Sequence, residues 1–330
     1  MALMDHDHRL VDNMTTLQRL LDLGRIYRKG RAALPAEPAV QRTFRVVTWN
    51  IGRGYRPDRV VEVLENLRPD VACLQEVDWG NQRTRSVDVL EEIAGRTGML
   101  GLLGIEFLEL DTPERCDRLG GGGATGNAFL TRLEPRLTFR VPLPACVDWR
   151  LGAENPSLPK FTRRRLRREP RLGERFGIGM ELTVGKRTIL VCSLHLEDKH
   201  GGLAGRWSQY MAAVKSLESR GIEDAIHVIA GDFNTFDNWI ARLVSGDTDA
   251  MSLGKPPSRR EAEWWRDHLL PTTGYRDPFQ TTDWTFSATR FFRAKLDWIT
   301  VRGSRVQDFG IGPFASSDHR PIHVDIDLGS

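Results

Sequence analysis

At 330 residues the chain is long enough for one large domain or two ordinary ones, and 40% apolar with 28% charged residues is the balance of a soluble globular protein. A formal net charge of +3 is too small to announce a polyanionic partner by itself, and no apolar run approaches the roughly 20 residues needed to span a bilayer. Four cysteines are few for the length; Cys73 and Cys192 sit inside apolar runs, and Asp5, His6, Asp7 and His8 stand where a secretory signal would be cationic and then apolar. A cytoplasmic protein with free thiols is the expectation.

In chain order, residues 1–42 read as an extension and 43–330 as the folded domain. Thr15 and Gln18 have the spacing of a capping box. Leu17, Leu20, Leu21, Leu23, Ile26 and Tyr27, flanked by Arg19, Arg25, Arg28 and Lys29, predict a basic amphipathic helix over residues 13–31. Such a helix has two uses, docking on its own domain or touching a membrane surface. Ala33 to Pro38 is a linker. From Phe44 the pattern changes to short strands: Phe44–Trp49, Val71–Gln75, Asn127–Thr131 after a glycine turn at Gly120–Gly123, Gly177–Val184, Thr188–His195, Ala225–Ala230, Leu296–Val301 and His323–Ile326. Helices are predicted at Asp58–Leu67, Val87–Thr97 and Leu203–Ser219. Thr162–Arg175, dense in arginine, and Gly246–His268, polar before the Trp264–Trp265 pair, read as insertions outside the core. The tryptophans either stack a ligand or fill a small satellite core. Strands in this number, some in hairpins and some joined by helices, suggest two packed sheets with helices outside them.

Where the apolar runs end, polar side chains recur. Thr48-Trp49-Asn50-Ile51-Gly52 closes a strand with an amide, which either faces a ligand or ends a turn. Val71 to Glu76 closes one with a carboxylate; Mg²⁺ takes hard oxygen ligands and keeps several waters, so Glu76 is the natural ligand and Asp78 a loop residue. His195 interrupts an apolar run, as a satisfied core residue or as a catalytic group. In Gly231-Asp232-Phe233-Asn234 the two polar groups address one ligand together or close an Asx-turn. Ser317-Asp318-His319-Arg320-Pro321 sets an acid beside an imidazole, with Asp297 upstream in Leu296-Asp297-Trp298-Ile299. These are the components of an oriented general base next to a metal site. All of these groups follow apolar runs, which points to one pocket at one edge of the sheets.

These segments also stand in the order of a known family. From about Phe44 to Ile326 the chain resembles the endonuclease/exonuclease/phosphatase superfamily, DNase I-like magnesium-dependent phosphoesterases that include AP endonucleases, neutral sphingomyelinases, inositol phosphatases and deadenylases. Gly126–Arg132 and Arg206–Gln209 resemble segments common in bacterial members. The resemblance implies an α+β fold, two β-sheets packed as a sandwich with helices on both outer faces, and a Mg²⁺ cofactor for which Mn²⁺ substitutes. Carried over by position, Glu76 binds the metal, with Asn50 and Asp318 nearby holding a metal water or the phosphate. His319, aligned by Asp297, is the general base, or it touches the phosphate while Asp232 takes the proton. Asn234 and His195 donate hydrogen bonds to the phosphoryl oxygens. Gly52 stands where AP endonucleases carry an acid, and His195 places the chain with the histidine-bearing branch.

The implied reaction is hydrolysis of a phosphodiester, with nucleic acid the favoured substrate. The arginine-dense segment from Arg163 to Arg175, with Arg163, Arg164 and Arg165 foremost, then grips the backbone while Trp149 and Phe161 stack a base; it reads equally as a contact for anionic lipid or as a solvated loop. The competing activity is that of a lipid or small-molecule phosphoesterase, with residues 13–31 as its peripheral membrane contact. A non-catalytic binding module is a remote third, and no obligate protein partner is evident.

Overall fold

The computed structural model describes residues 14–31, 42–113, 115, 119–149, 156, 160–198, 201–235, 261–289 and 292–329. In chain order the first sheet takes β1 (Ile26–Lys29), β2 (Thr43–Arg53), β3 (Val71–Trp79), β4 (Leu100–Glu109), β5 (Ala124–Thr131), β7 (Arg171–Gly173), β14 (Val306–Ile311) and β15 (Ile322–Asp327). Their spatial order is β1-β4-β5-β3-β2-β15-β14, with β7 paired to β4. The second sheet takes β6 (Leu137–Pro142), β8 (Phe176–Val184), β9 (Arg187–His195), β10 (Ile226–Asp232) and β13 (Asp297–Arg302), ordered β13-β10-β9-β8-β6. A hairpin of β11 (Phe286–Thr289) and β12 (Phe292–Ala294) stands apart.

Period-two alternation sorts each strand between layers. On β2, Phe44 and Val46 enter the core between the sheets, while Val47, Trp49 and Ile51 face α2 (Pro57–Leu67) and α3 (Val89–Thr97). On β9, Ile189 and Val191 point inward, and Leu190, Cys192 and Leu194 meet Tyr210 and Val214 of α5 (Gly202–Glu218). The result is the expected four layers, helix, sheet, sheet, helix. Each fully buried large side chain in them contributes about 1.5–3 kcal/mol of transfer free energy. Cys73 and Cys192 are free and buried, packed as small hydrophobes. Among the described residues no helix is long and apolar enough to cross a membrane.

Three segments depart from expectation. The capping box forms: the Gln18 N–H donates to Thr15 Oγ1 at 3.2 Å, and the Thr15 N–H to Gln18 Oε1 at 3.1 Å. Its helix, α1 (Thr16–Leu20), then stops after five residues. Gly24 adopts φ 78°, and Ile26–Lys29 pairs antiparallel with β4. A short helix and an edge strand thus replace the single amphipathic helix expected over 13–31. The fully buried Gln18 donates from Nε2 to the carbonyls of Glu109 (2.9 Å) and Gly123 (2.7 Å). Gln18→Ala removes both bonds while each carbonyl keeps a backbone donor, the Gly122 N–H for Glu109 and the Glu109 N–H for Gly123; losing two hydrogen bonds is expected to lower the unfolding free energy by about 1–3 kcal/mol, read as a fall in the denaturant midpoint.

The arginine-dense segment is not a loop: it forms α4 (Lys160–Arg168) and β7, and Leu166 packs with Phe107 and Trp149 in a small cluster. Trp149 is therefore buried rather than free to stack a base, and the side chain of Phe161 lies outside the described residues. Of the second insertion, residues 246–260 also lie outside them; Trp265 is fully buried against Tyr210, Phe233 and Trp298, which is the satellite-core reading.

Candidate active site

The alternation that fills the core also builds the site. Asn50, His195, Asp232 and Asp297 each continue the inward-facing series of their own strand: 44 and 46 on β2, 189 and 191 on β9, 226, 228 and 230 on β10, 299 and 301 on β13. Each lies at an end where that series leaves the apolar core. Asp232 is in direct register with His195 on one neighbouring strand and with Asp297 on the other, so the three stand abreast. Just inside them Gln75 bridges the sheets, its Nε2 3.2 Å from Thr48 Oγ1 and 3.3 Å from Ser193 Oγ.

Glu76 reaches this face by another device. On β3 Ala72 and Leu74 face outward, so strict alternation would send Glu76 outward too. The register slips between Leu74 and Val77, Glu76 takes φ 56°, and Val77 resumes the outward series. The extra residue of this bulge is Glu76, which turns toward the other sheet. Asp78, expected in a loop, is a fully buried strand residue that accepts from Arg83 at 2.7 and 2.8 Å.

Around Asp232 the polar groups converge. Its Oδ2 accepts from Asn50 Nδ2 at 3.0 Å and lies 3.5 Å from His195 Nε2 and 3.7 Å from His319 Nε2. Its Oδ1 accepts the Asn234 N–H at 2.9 Å, an Asx-turn in which Asn234 has φ 52°. The Asn234 amide is partly committed, since Nδ2 donates to the Leu196 carbonyl at 3.0 Å. His319 donates from Nδ1 to Asp297 Oδ2 at 2.8 Å, and its carbonyl accepts from Trp49 Nε1 at 3.1 Å. The oriented imidazole expected from sequence is thus assembled. Asp318 is exposed at the mouth, its Oδ1 3.3 Å from Ser317 Oγ.

Burial and charge set the protonation states. Burial pushes the Asp232 carboxyl up to about 7, against the pull of the His319 imidazole. Burial would depress His319, but Asp297 and Asp232 outweigh it and raise the imidazole to about 10. His195 is held well below the ordinary imidazole range by burial and by Arg175; it is neutral, with a buried Nδ1 that has no partner. Burial would raise Glu76, yet the cations Arg53, Arg175 and His319 together hold it well below the carboxylate range.

Asn50, Glu76, His195, Asp232, Asn234, Asp318 and His319 all line one cavity of about 280 Å³, with Asp297 behind His319. Of the arginines on its remaining wall, Arg171 and Arg175 belong to the arginine-dense segment singled out in the sequence, whereas Arg53 carries no signal there. All three are tied back by carboxylates: Arg53 Nε to Glu76 at 3.1 Å, Arg171 Nη2 to Glu169 at 2.8 Å and Arg175 Nη1 to Glu106 at 3.4 Å. The Arg171 guanidinium carbon lies 4.5 Å from the Trp149 ring centre and 4.9 Å from that of Phe107. Behind this wall Glu109 pairs with Arg83 and Arg115. Arg163 and Arg164, on α4, do not line the cavity; Arg164 is exposed, Arg163 half-buried, and the side chain of Arg165 lies outside the described residues. The arginines that reach the site are the later ones of the same segment, which only the pairing of β7 with β4 brings inward.

Comparison with known proteins agrees with this layout. The model of the Endonuclease/Exonuclease/phosphatase family matches residues 47–319. Among solved structures, an endonuclease/exonuclease/phosphatase from Beutenbergia cavernae is similar with a TM-score of 0.59 and 17% identity, over 88% of this chain and 72% of that one. The human Nocturnin catalytic domain with bound sulfate gives 0.53 and 15%, over 87% and 93%, and TDP2 from Caenorhabditis elegans 0.51 and 15%, over 87% and 74%. At these identities the likeness is one of fold. No curated protein sequence matches significantly.

Proposed function

Because the chain belongs to the Endonuclease/Exonuclease/phosphatase family and is thus a phosphoester hydrolase, we propose that it cleaves a phosphodiester with Mg²⁺ as cofactor, Mn²⁺ substituting, and with nucleic acid as its substrate class. The observation that carries the reading is the convergence of Asn50, His195 and His319 from both sheets on the Asp232 carboxylate, across one cavity from Glu76.

The residues fit a hard divalent cation. Glu76 is ionised, sits on a bulge and faces the cavity, and Asp318 borders the same space. Oxygen atoms of Asp232 and Asp297 and a ring nitrogen of His319 also lie within 4.8 Å of one another. There the Asp297 Oδ2 is already occupied by the His319 N–H, so that cluster serves proton handling and Glu76 the metal, with Asn50 and Asp318 as its neighbours. A cation so held neutralises charge developing on the phosphoryl oxygens.

The protein's own groups do the rest. Asp232, with a carboxyl near neutrality, takes the proton of the attacking water. His319, kept protonated and oriented by Asp297, directs Nε2–H at the phosphoryl group, and His195 and Asn234 flank it as neutral polar contacts. Water and phosphorus are thereby held for in-line attack.

The test is a panel of single- and double-stranded DNA, RNA, a lipid phosphodiester and bis(p-nitrophenyl) phosphate, with Mg²⁺ and with chelator. Diester cleavage should vanish with chelator and return with Mg²⁺ or Mn²⁺. Cleavage of nucleic acid should fall steeply with salt, by about 0.7 log units per tenfold change for each phosphate neutralised on a single strand. If Arg163, Arg164 and Arg165 hold the backbone, neutralising them flattens that slope. Failure to cut any nucleic acid at low salt sinks the nuclease reading. The second reading, a small soluble phosphoester, is favoured by the modest cavity and predicts little salt dependence.

A further inference from the structure

A second hollow, of about 580 Å³, opens beside the catalytic cavity and shares Arg53, Glu76 and Asp318 with it. Its remaining lining includes Tyr55, Arg56 and Phe314. Tyr55 and Phe314 are 42% and 41% exposed, an unusual position for large rings beside an otherwise polar site. Phe314 stacks on Trp284, with ring centres 5.5 Å apart and planes 27° from parallel. Cations interleave with these rings. The Arg293 guanidinium carbon lies 4.1 Å from the Trp284 ring centre, and that of Arg320 lies 5.1 Å from Trp284 and 5.7 Å from Phe314. Arg56 is exposed at the N-terminus of α2.

The platform is tied to the reacting groups through the backbone. The Arg320 N–H donates to the Thr285 carbonyl at 2.7 Å, the Ser287 N–H to the Asp318 carbonyl at 3.0 Å, and Arg320 Nε to the Gly312 carbonyl at 2.8 Å. Nothing in the hydrolytic step uses Tyr55, Phe314, Trp284, Arg56 or Arg293. Ring faces beside arginines are what a chain of alternating bases and phosphates requires. A duplex hides its base faces in its own stack, so the fit is to a single strand.

We propose that this hollow seats the nucleotides flanking the scissile phosphate of a single-stranded nucleic acid, with bases on the faces of Tyr55 and Phe314 and a backbone phosphate against Arg56, while Arg293 and Arg320, outside the lining on Trp284, extend the cationic surface beyond Phe314. It deepens the nuclease reading and rests on it.

The experiment uses the full chain and the variants Tyr55→Ala, Phe314→Ala and Phe314→Trp. Two readouts run in parallel: kcat/KM on an unstructured oligothymidylate and on bis(p-nitrophenyl) phosphate, and anisotropy of the labelled oligothymidylate at equilibrium with the protein. Each alanine variant should weaken oligonucleotide binding about 5- to 100-fold, raise its KM correspondingly and leave bis(p-nitrophenyl) phosphate turnover unchanged; Phe314→Trp should keep binding at the parent's level. Equal losses on both substrates, or no loss on the oligonucleotide, overturn the inference while leaving phosphodiesterase activity intact. Loss of binding to anionic phospholipid vesicles in place of the oligonucleotide assigns the platform to a membrane and overturns it too. If the parent cleaves no diester at all, the catalytic reading falls, and the anisotropy still decides whether the rings bind bases.

Discussion

His319→Ala is expected to lower kcat by about 10²-fold or more, roughly 2.7 kcal/mol of transition-state stabilisation. The loss comes from a cation that Asp297 has already oriented, 2.8 Å away, and that Asp232 faces at 3.7 Å. The pH profile separates this role from a merely structural one. In the parent, activity should rise as Asp232 deprotonates near 7 and fall as His319 loses its proton near 10. The imidazolium pulls the Asp232 carboxyl down, so removing it moves the acid limb to higher pH and abolishes the alkaline limb. An acid limb that stays in place or moves down contradicts the assignment. The same pairing contributes to stability. The folded-state value of His319 lies above its unfolded value of about 6.5, so the contribution is fully present below that pH and is lost as pH rises through about 10.

Glu76→Ala should leave the fold intact and raise the Mg²⁺ concentration for half-maximal rate at least about tenfold, equivalent to roughly 1.4 kcal/mol of binding. The carboxylate it removes stands on a bulge with φ 56° and is held ionised by Arg53 at 3.1 Å. Because its carboxyl lies well below the usual range, acidification toward pH 5 should not by itself release the metal in the parent. A titration of rate against Mg²⁺, repeated calorimetrically without substrate, reads the change directly. Identical curves for Glu76→Ala, Glu76→Gln and the parent would remove Glu76 from the metal site.

The strand ends were legible because an apolar run that breaks into Asn, Glu, His or Asp leaves a mark in one dimension. Asn50, Glu76, His195, Asp232 and His319 were each found that way, and the structure brings them to one cavity. β4 was not legible. Its ten residues are buried on both faces, between the inter-sheet core and α3, so it shows no alternation to read. Arg53 escaped for a different reason, and Arg171 and Arg175 were legible only as members of the Arg163–Arg175 segment. An arginine is unremarkable in sequence, and what makes these three part of the site is contact with Glu76, Phe107, Trp149 and Glu106, on strands and loops far from two of them along the chain. The density of the Arg163–Arg165 run drew attention to the wrong end of its own segment. The N-terminal helix failed on a local signal that was present, Gly24, whose positive φ ends the turn and releases the chain to β4.

That N-terminal strand bears on how the enzyme can be cut down or fused. The family match begins at residue 47, yet β1, upstream of it, covers the outer edge of β4 from Gly101 to Gly104, paired through the backbone and anchored by Tyr27 against Trp79 and by the Arg28–Glu134 and Lys29–Asp88 ion pairs. A version begun at residue 42 would keep every catalytic side chain and β2 entire, and still present a bare row of β4 peptide groups to its neighbours, an invitation to strand-by-strand aggregation. Solubility and turnover are thus governed by different parts of the chain, and Ile26–Lys29 belong to the first of these.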